Sequence, residues 1–273
     1  MSDILQAGVI GWPIGHSRSP RLHGHWLKTY GINGRYDAVA VEPEALSGFI
    51  RRLADTGWRG CNVTIPHKEA VFGLVDRISD TARRIGAINT VIVEADGRLL
   101  GHNTDGYGFI ENLRQSLPGF DFAAGPALVL GAGGAGRAVI AALQDAGVPE
   151  IRLANRNRAR AEALRDALPD RVAVVDWPGG DLADVNLLVN ATSLGMTGQP
   201  ALEIALDRLA VTAMVTDLVY APLETALLAA ARARGNAVVD GLGMLLHQAR
   251  PGFAAWFGRE PAVTEALRAA VLA

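Results

Sequence analysis

A single cysteine, Cys61, in 273 residues excludes an intrachain disulfide and any thiolate metal cluster. Charge is sparse as well: 26 Lys and Arg stand against 28 Asp and Glu, for a formal net charge of −2. No block of one sign supplies the electrostatic footprint that nucleic acid or an anionic membrane surface requires. Long apolar runs are missing too. The longest charge-free stretch, residues 185–202, is broken by Asn186, Asn190, Thr192 and Pro200, which a bilayer-spanning helix of about 20 residues does not tolerate. The start, Met-Ser-Asp-Ile-Leu-Gln, carries Asp3 where a secretory signal has a basic segment. With the cysteine count, this predicts a cytoplasmic protein. No metal site is expected, because His23 and His25, two apart on a predicted helix, face different sides. No G-x-S-x-G elbow for acyl transfer is present.

What the chain does have is 49% apolar residues and 31 glycines, enough to bury a large core, and a length at which cores usually divide into two domains. Apolar, β-branched runs of strand length alternate with amphipathic stretches of helix length. That is the pattern of α/β proteins with mostly parallel sheets. Strands are predicted at 6–11, 35–41 and 58–64, with helices at 20–30 and 43–56. A hairpin follows over 87–94 and 98–101, turning about Asp96-Gly97, then a helix over 106–117. A connector at 118–126 leads into a new series: strands at 127–130, 151–155, 172–175, 185–190, 214–219 and 237–239, with helices at 134–146 and 159–168. Two last helices, 244–257 and 263–272, have no strand partners of their own. They are assigned back to the first domain, giving 1–105 plus 242–273 as one domain and 106–241 as the other.

The second series opens with a dinucleotide fingerprint in the context that gives it meaning, a short apolar strand before it and a helix after it. In Gly131-Ala132-Gly133-Gly134-Ala135-Gly136, Gly131 makes the tight turn, Gly133 admits backbone to a pyrophosphate, and Gly136 permits close packing of the helix. The anion would sit on that helix N-terminus. Nineteen residues after Gly136, where an NAD enzyme places an acidic residue on the ribose, stands Asn155, followed by Arg156, Asn157, Arg158 and Arg160. An amide among guanidinium groups suits a 2′-phosphate, so the predicted cofactor is NADP(H).

The first domain carries three polar segments. Asn62-Val63-Thr64-Ile65-Pro66-His67-Lys68 runs off a strand with Asn62 and Thr64 on one face, and Lys68 near the first turn of a predicted helix. A lysine at the positive end of a helix dipole is misplaced for stability, which hints at function. Asp105 is predicted to cap the helix after Asn103-Thr104, and Ser19 the helix after Gly15-His16-Ser17-Arg18. Ser17 and Ser19 offer hydroxyls to a small carboxylate. Taken singly, Lys68 is a surface lysine and Asp105 a cap. Their occurrence with a polar pocket favours an enzyme over a non-catalytic NADP-binding regulator.

Together these segments resemble the shikimate dehydrogenase family nearly end to end. The residues that carry the resemblance are His16-Ser17-Arg18-Ser19-Pro20, Asn62 to Lys68, Ala87-Ile88-Asn89-Thr90, Asn103-Thr104-Asp105-Gly106, Gly131 to Gly136, Asn155-Arg156, Asn190-Ala191-Thr192-Ser193 and Asp240-Gly241-Leu242-Gly243-Met244. The resemblance implies a substrate domain and a doubly wound, Rossmann-type NADP domain with the active-site cleft between them. It implies reversible NADPH-dependent reduction of 3-dehydroshikimate to shikimate, on the route to chorismate and the aromatic amino acids. Lys68 and Asp105 would then be the catalytic pair. Ser17, Ser19, Asn62, Thr64, Asn89, Tyr220 and Gln248 would bind substrate. Arg156 and Arg160 would hold the 2′-phosphate, and Thr192, Leu218 and Gly241 the nicotinamide half. A quinate/shikimate dehydrogenase of broader substrate or cofactor use remains the alternative, with a methylenetetrahydrofolate dehydrogenase as a weaker one. Monomer and homodimer are both compatible with the sequence.

Overall fold

The computed structural model describes residues 4–273, so Asp3, on which the targeting expectation rests, lies outside it. The chain forms two compact units, one running to Thr104 and joined by Leu246–Ala273, the other Asp105–Leu245.

In the first unit, β1 (Leu5–Gly11), α1 (Ser19–Thr29), β2 (Gly34–Ala40), α2 (Leu46–Arg51) and β3 (Trp58–Val63) follow the expected alternation. Then come β4 (Arg77–Ile78), α3 (Asp80–Ile85), β5 (Thr90–Val93) and β6 (Leu99–His102). The strand order β2-β1-β3-β5-β6-β4 is parallel at the β2, β1 and β3 end. The expected hairpin supplies the antiparallel strands β5 and β6, with Gly97 at φ 83° in its turn. A core of Ile10, Ile50, Leu53, Cys61, Val63 and Val91 fills one face. Burial pushes the Cys61 thiol up to about 12, which makes it an inert packing residue.

The second unit contains α4 (Asp105–Ser116), β7 (Ala127–Leu130), α5 (Gly134–Asp145), β8 (Ile151–Ala154), α6 (Arg158–Ala167), β9 (Val172–Val174), β10 (Leu187–Asn190), β11 (Met214–Asp217), α7 (Ala226–Ala233) and β12 (Ala237–Val239). All six strands are parallel, in the order β12-β11-β10-β7-β8-β9. That is the doubly wound dinucleotide-fold order, whose switch point lies between β7 and β10. β7 and β10 are buried along their whole length, as strands covered on both faces must be. α8 (Leu242–Phe257) starts in this unit and continues into the first, where α9 (Glu265–Leu272) follows. Among the described residues no helix is long and apolar enough to cross a membrane.

Four local expectations are corrected. The helix foreseen over 43–56 is a short 3-10 turn, Pro43–Ala45, followed by α2, which stops at Arg51. The Thr56 hydroxyl takes the carbonyls of Arg52 and Leu53, closing the chain into turns. No α-helix begins at Lys68. Its carbonyl accepts from the Ile88 N–H at 2.8 Å, across to the β5 side, and only a 3-10 turn, Ala70–Gly73, follows. The dipole argument for Lys68 therefore falls. Ser19 is the first residue of α1 and does not cap it; Ser17 Oγ accepts the Ser19 N–H at 3.3 Å instead. Asp105 likewise stands inside α4, as its first residue.

Candidate active site

Of the polar residues foreseen in the first unit, Asn62, Asn89 and Gln248 join one buried network, built from the ends of β3, β5 and β6 and from α8. Asn62, on β3 and 6% exposed, donates both Nδ2 hydrogens, to Asn89 O and Thr90 Oγ1, each at 3.2 Å. Its Oδ1 accepts from the Tyr36 hydroxyl on β2 at 2.6 Å. Asn89 donates to Thr104 Oγ1 at 3.0 Å and to Gln248 Oε1 on α8 at 3.3 Å. Its own Oδ1 accepts from the Thr104 N–H and the Thr90 hydroxyl, both at 2.9 Å. Buried polar groups with every hydrogen bond made are held in one orientation. Lys68 is tied beside this network through Ile88, and the neighbouring His67, also buried, places Nε2 2.7 Å from Val41 O. Thr64 closes the same turn, accepting from the His67 N–H and donating its own to Ile10 O. Gly11 has to be glycine there, since a Cβ would stand 2.6 Å from Thr64 Cγ2.

Below the network lies His23, wholly buried and stacked face to face on Tyr36 at 3.8 Å and 2°. Trp26, Phe253 and Trp256 surround it. Neither ring nitrogen has a hydrogen-bond partner among the described residues. Burial pulls its pKa down to about 3, which the neighbouring Asn62 offsets only in part. The same burial, with a smaller push from Cys61, moves the Tyr36 hydroxyl well above the usual tyrosine range, against a weaker opposing effect of Ser19.

In the second unit the fingerprint glycines sit at the switch point. Gly131, at φ 112°, leaves room for Ala191, whose carbonyl oxygen a Cβ would approach to 2.9 Å; a Cβ on Gly136 would collide with the Gly131 carbonyl. Gly133 and Gly134 face open space at the start of α5, a cradle that backbone N–H groups can offer to an anion. Asn155 ties this loop to the arginine turn, accepting from the Ala132 N–H at 3.1 Å and donating to Asn157 O at 2.8 Å. Asn157 caps α6. Arg158 is engaged by Glu162 and Asp176 at 3.0 and 2.7 Å, whereas the exposed guanidinium groups of Arg156 and Arg160 have no ion-pair partner among the described residues.

The turn after β10 is held by a carboxylate that sequence reasoning missed. Asp217, fully buried at the end of β11, accepts from Asn190 Nδ2, the Val219 N–H and the Thr225 hydroxyl. Burial raises its carboxyl above the usual range, against those hydrogen bonds. Asn190 Oδ1 in turn accepts from the N–H and hydroxyl of Thr192. Gly241 packs on Leu218 so closely that any side chain would strike the Leu218 carbonyl. Tyr220, half-buried, lies two residues beyond Leu218. Among the described residues no cluster of three His, Cys, Asp or Glu could ligate a metal.

Comparison with known proteins agrees with this layout. Residues 9–91 match the shikimate dehydrogenase substrate binding domain, 113–197 the shikimate / quinate 5-dehydrogenase family, and 241–272 the shikimate 5'-dehydrogenase C-terminal domain. The NADP(+) shikimate dehydrogenase of Paramagnetospirillum magneticum is 60% identical over 97% of each chain, and that of Rhodospirillum rubrum 58% over 97% of this chain and 96% of its own. Among solved structures, shikimate 5-dehydrogenase of Thermus thermophilus in complex with NADP(H) and shikimate superposes with a TM-score of 0.88 at 39% identity, covering 98% of this chain and 99% of its own. Quinate dehydrogenase of Corynebacterium glutamicum in complex with NAD gives 0.90 at 34%, covering 99% of each. The chain belongs to the shikimate dehydrogenase family.

Proposed function

We propose that the protein is a cytoplasmic shikimate dehydrogenase, monomeric or homodimeric, that reduces 3-dehydroshikimate to shikimate with NADPH. The observation that carries the cofactor choice is the pair of uncommitted guanidinium groups, Arg156 and Arg160, beside an amide rather than a carboxylate at Asn155. The NADP domain is the Asp105–Leu245 unit and the substrate domain the other. Gly131 to Gly136 receive the pyrophosphate, and Thr192, Leu218 and Gly241 flank the nicotinamide half. Bound NADPH supplies the hydride.

On the substrate side, Ser17 and Ser19 hold the carboxylate, and Asn62, Thr64, Asn89, Tyr220 and Gln248 hold or enclose the ring hydroxyls. Reduction of the carbonyl leaves negative charge on its oxygen, which needs a proton and a nearby cation. Lys68 Nζ provides both, giving its proton to that oxygen and taking it back in the reverse direction. By the family resemblance Asp105 is the second member of the catalytic pair.

The test is the rate of shikimate-dependent NADP⁺ reduction by wild type and Lys68→Ala. The variant is expected to lose roughly 10²- to 10⁴-fold in kcat with little change in shikimate KM. No rate in the wild type would overturn the function, and a near-normal rate in the variant would overturn the role of Lys68.

A further inference from the structure

We propose that Asp217 is a positioning residue for the nicotinamide half of the cofactor, holding in one geometry the turns after β10 and β11 that carry Thr192 and Leu218. The inference rests on Thr192, Leu218 and Gly241 flanking that half, as proposed above.

A carboxylate only accepts hydrogen bonds, and Asp217 meets donors from three segments. Its Oδ1 takes Asn190 Nδ2 at 2.9 Å and the Val219 N–H at 3.0 Å, and Oδ2 takes the Thr225 hydroxyl at 2.7 Å. One oxygen thus ties the end of β10 to the residue after Leu218. Asn190 passes the constraint on with its own capacity fully used: Nδ2 also donates to Leu194 O, and Oδ1 accepts both the N–H and the hydroxyl of Thr192. Turning that amide over would set its carbonyl against the Asp217 carboxylate, so only one orientation is satisfied. The Thr192 turn also abuts Gly131, where a Cβ would stand 2.9 Å from Thr192 Cγ2. Gly241 packs against the same segment, a Cβ there standing 2.9 Å from the Asp217 carbonyl oxygen. Thr192 and Leu218 therefore depend on the Asp217 side chain, the first through Asn190 and the second through Val219. None of these bonds involves Gly133, Gly134 or the Arg156 turn, so the constraint falls on one half of the cofactor site.

Without the carboxylate the two turns are ordered only when the cofactor arrives, and binding bears that cost. The test is calorimetric titration of the purified protein with NADPH and with adenosine 2′,5′-bisphosphate, which carries the 2′-phosphate but no nicotinamide. Asp217→Ala is expected to weaken NADPH binding about tenfold while the bisphosphate stays within about twofold. Asp217→Asn can keep Oδ1 toward Asn190 and Val219 while the Thr225 hydroxyl turns to accept, so both ligands should stay within about threefold of wild type. Leu218→Ala checks the underlying reading, since it trims the side chain assigned to the nicotinamide and leaves every Asp217 bond in place.

If Leu218→Ala weakens NADPH selectively and Asp217→Ala does not, the positioning role is refuted and the nicotinamide reading stands. If Leu218→Ala binds both ligands as wild type does, that reading fails, and the inference with it. Parallel losses of both ligands in Asp217→Ala would make the carboxylate a general support of the domain and refute the proposal. An equal NADPH loss in Asp217→Asn and Asp217→Ala would refute it too, because the aligned acceptor would then not be what matters. Should Asp217→Ala not fold, Asn190→Ala, which cuts the link to Thr192, is judged by the same two ligands.

Discussion

His23 ties stability to pH with a sign and size that follow from its surroundings. The imidazole is enclosed by Tyr36, Trp26, Phe253 and Trp256, and burial lowers its pKa from 6.5 to about 3. Between those values the unfolded chain binds a proton that the native state refuses. The contribution is thus fully present above pH 6.5 and is lost as pH falls toward 3, at about 1.4 kcal/mol per pH unit. Going from pH 6.5 to 5 therefore costs about 2 kcal/mol from this residue alone. His23→Leu keeps an apolar side chain of similar bulk in the aromatic cage and removes the titration, along with two buried nitrogens that have no partner. The urea midpoint, converted to free energy at pH 7, 6 and 5, should decline less steeply in the variant, by about 1.4 kcal/mol per unit below pH 6. Tryptophan fluorescence reports the relevant unit, because Trp12, Trp26, Trp58 and Trp256 all lie in it. The raised carboxyl of Asp217 works in the opposite direction, but equally in both proteins, and cancels. Parallel pH profiles for wild type and variant would refute the reasoning, since they would mean that His23 takes up its proton in the folded state.

Further outcomes follow from the cofactor site and from close packing. Arg156→Ala and Arg160→Ala are each expected to raise NADP⁺ KM by about tenfold, the loss of one charge-assisted hydrogen bond, while Arg158→Ala, committed to Glu162 and Asp176, changes it less than about twofold. Equal effects at all three positions in a KM series would contradict the assignment. Gly60→Ala should destabilise by about 3 kcal/mol or more in urea unfolding, because its backbone is at φ 146° and a Cβ would strike Val91 O and the Trp256 indole, whose Nε1 donates to that same carbonyl. A variant of wild-type stability would show that this crossing is loose.

Much of the fold was legible because fully buried parallel strands are written as continuous apolar runs. Ala127–Leu130 and Leu187–Asn190 read that way and are buried throughout. The glycine fingerprint was equally plain, since its spacing reflects contacts that a side chain would block. Two short helices, α3 and α7, were not read although their signals are present. Ser79 and Thr225 cap them, and Gly86 ends α3 in a left-handed conformation. The Lys68 turn could not be read locally, because what decides it is a bond from Ile88, twenty residues away. Tyr36 and Asp217 were missed for the same reason. Tyr36 sits on an ordinary strand, 26 residues before Asn62, and only the pairing of β1 with both β2 and β3 brings the two side chains together.

The most direct test of the account is initial nicotinamide reduction by the purified protein, with shikimate and quinate each crossed against NADP⁺ and NAD⁺. The likeness to NADP(+) shikimate dehydrogenases and the arginine pair predict that shikimate with NADP⁺ far exceeds the other three combinations. Comparable rates with quinate or with NAD⁺ would contradict that selectivity, and no rate in any combination would contradict the assigned reaction itself.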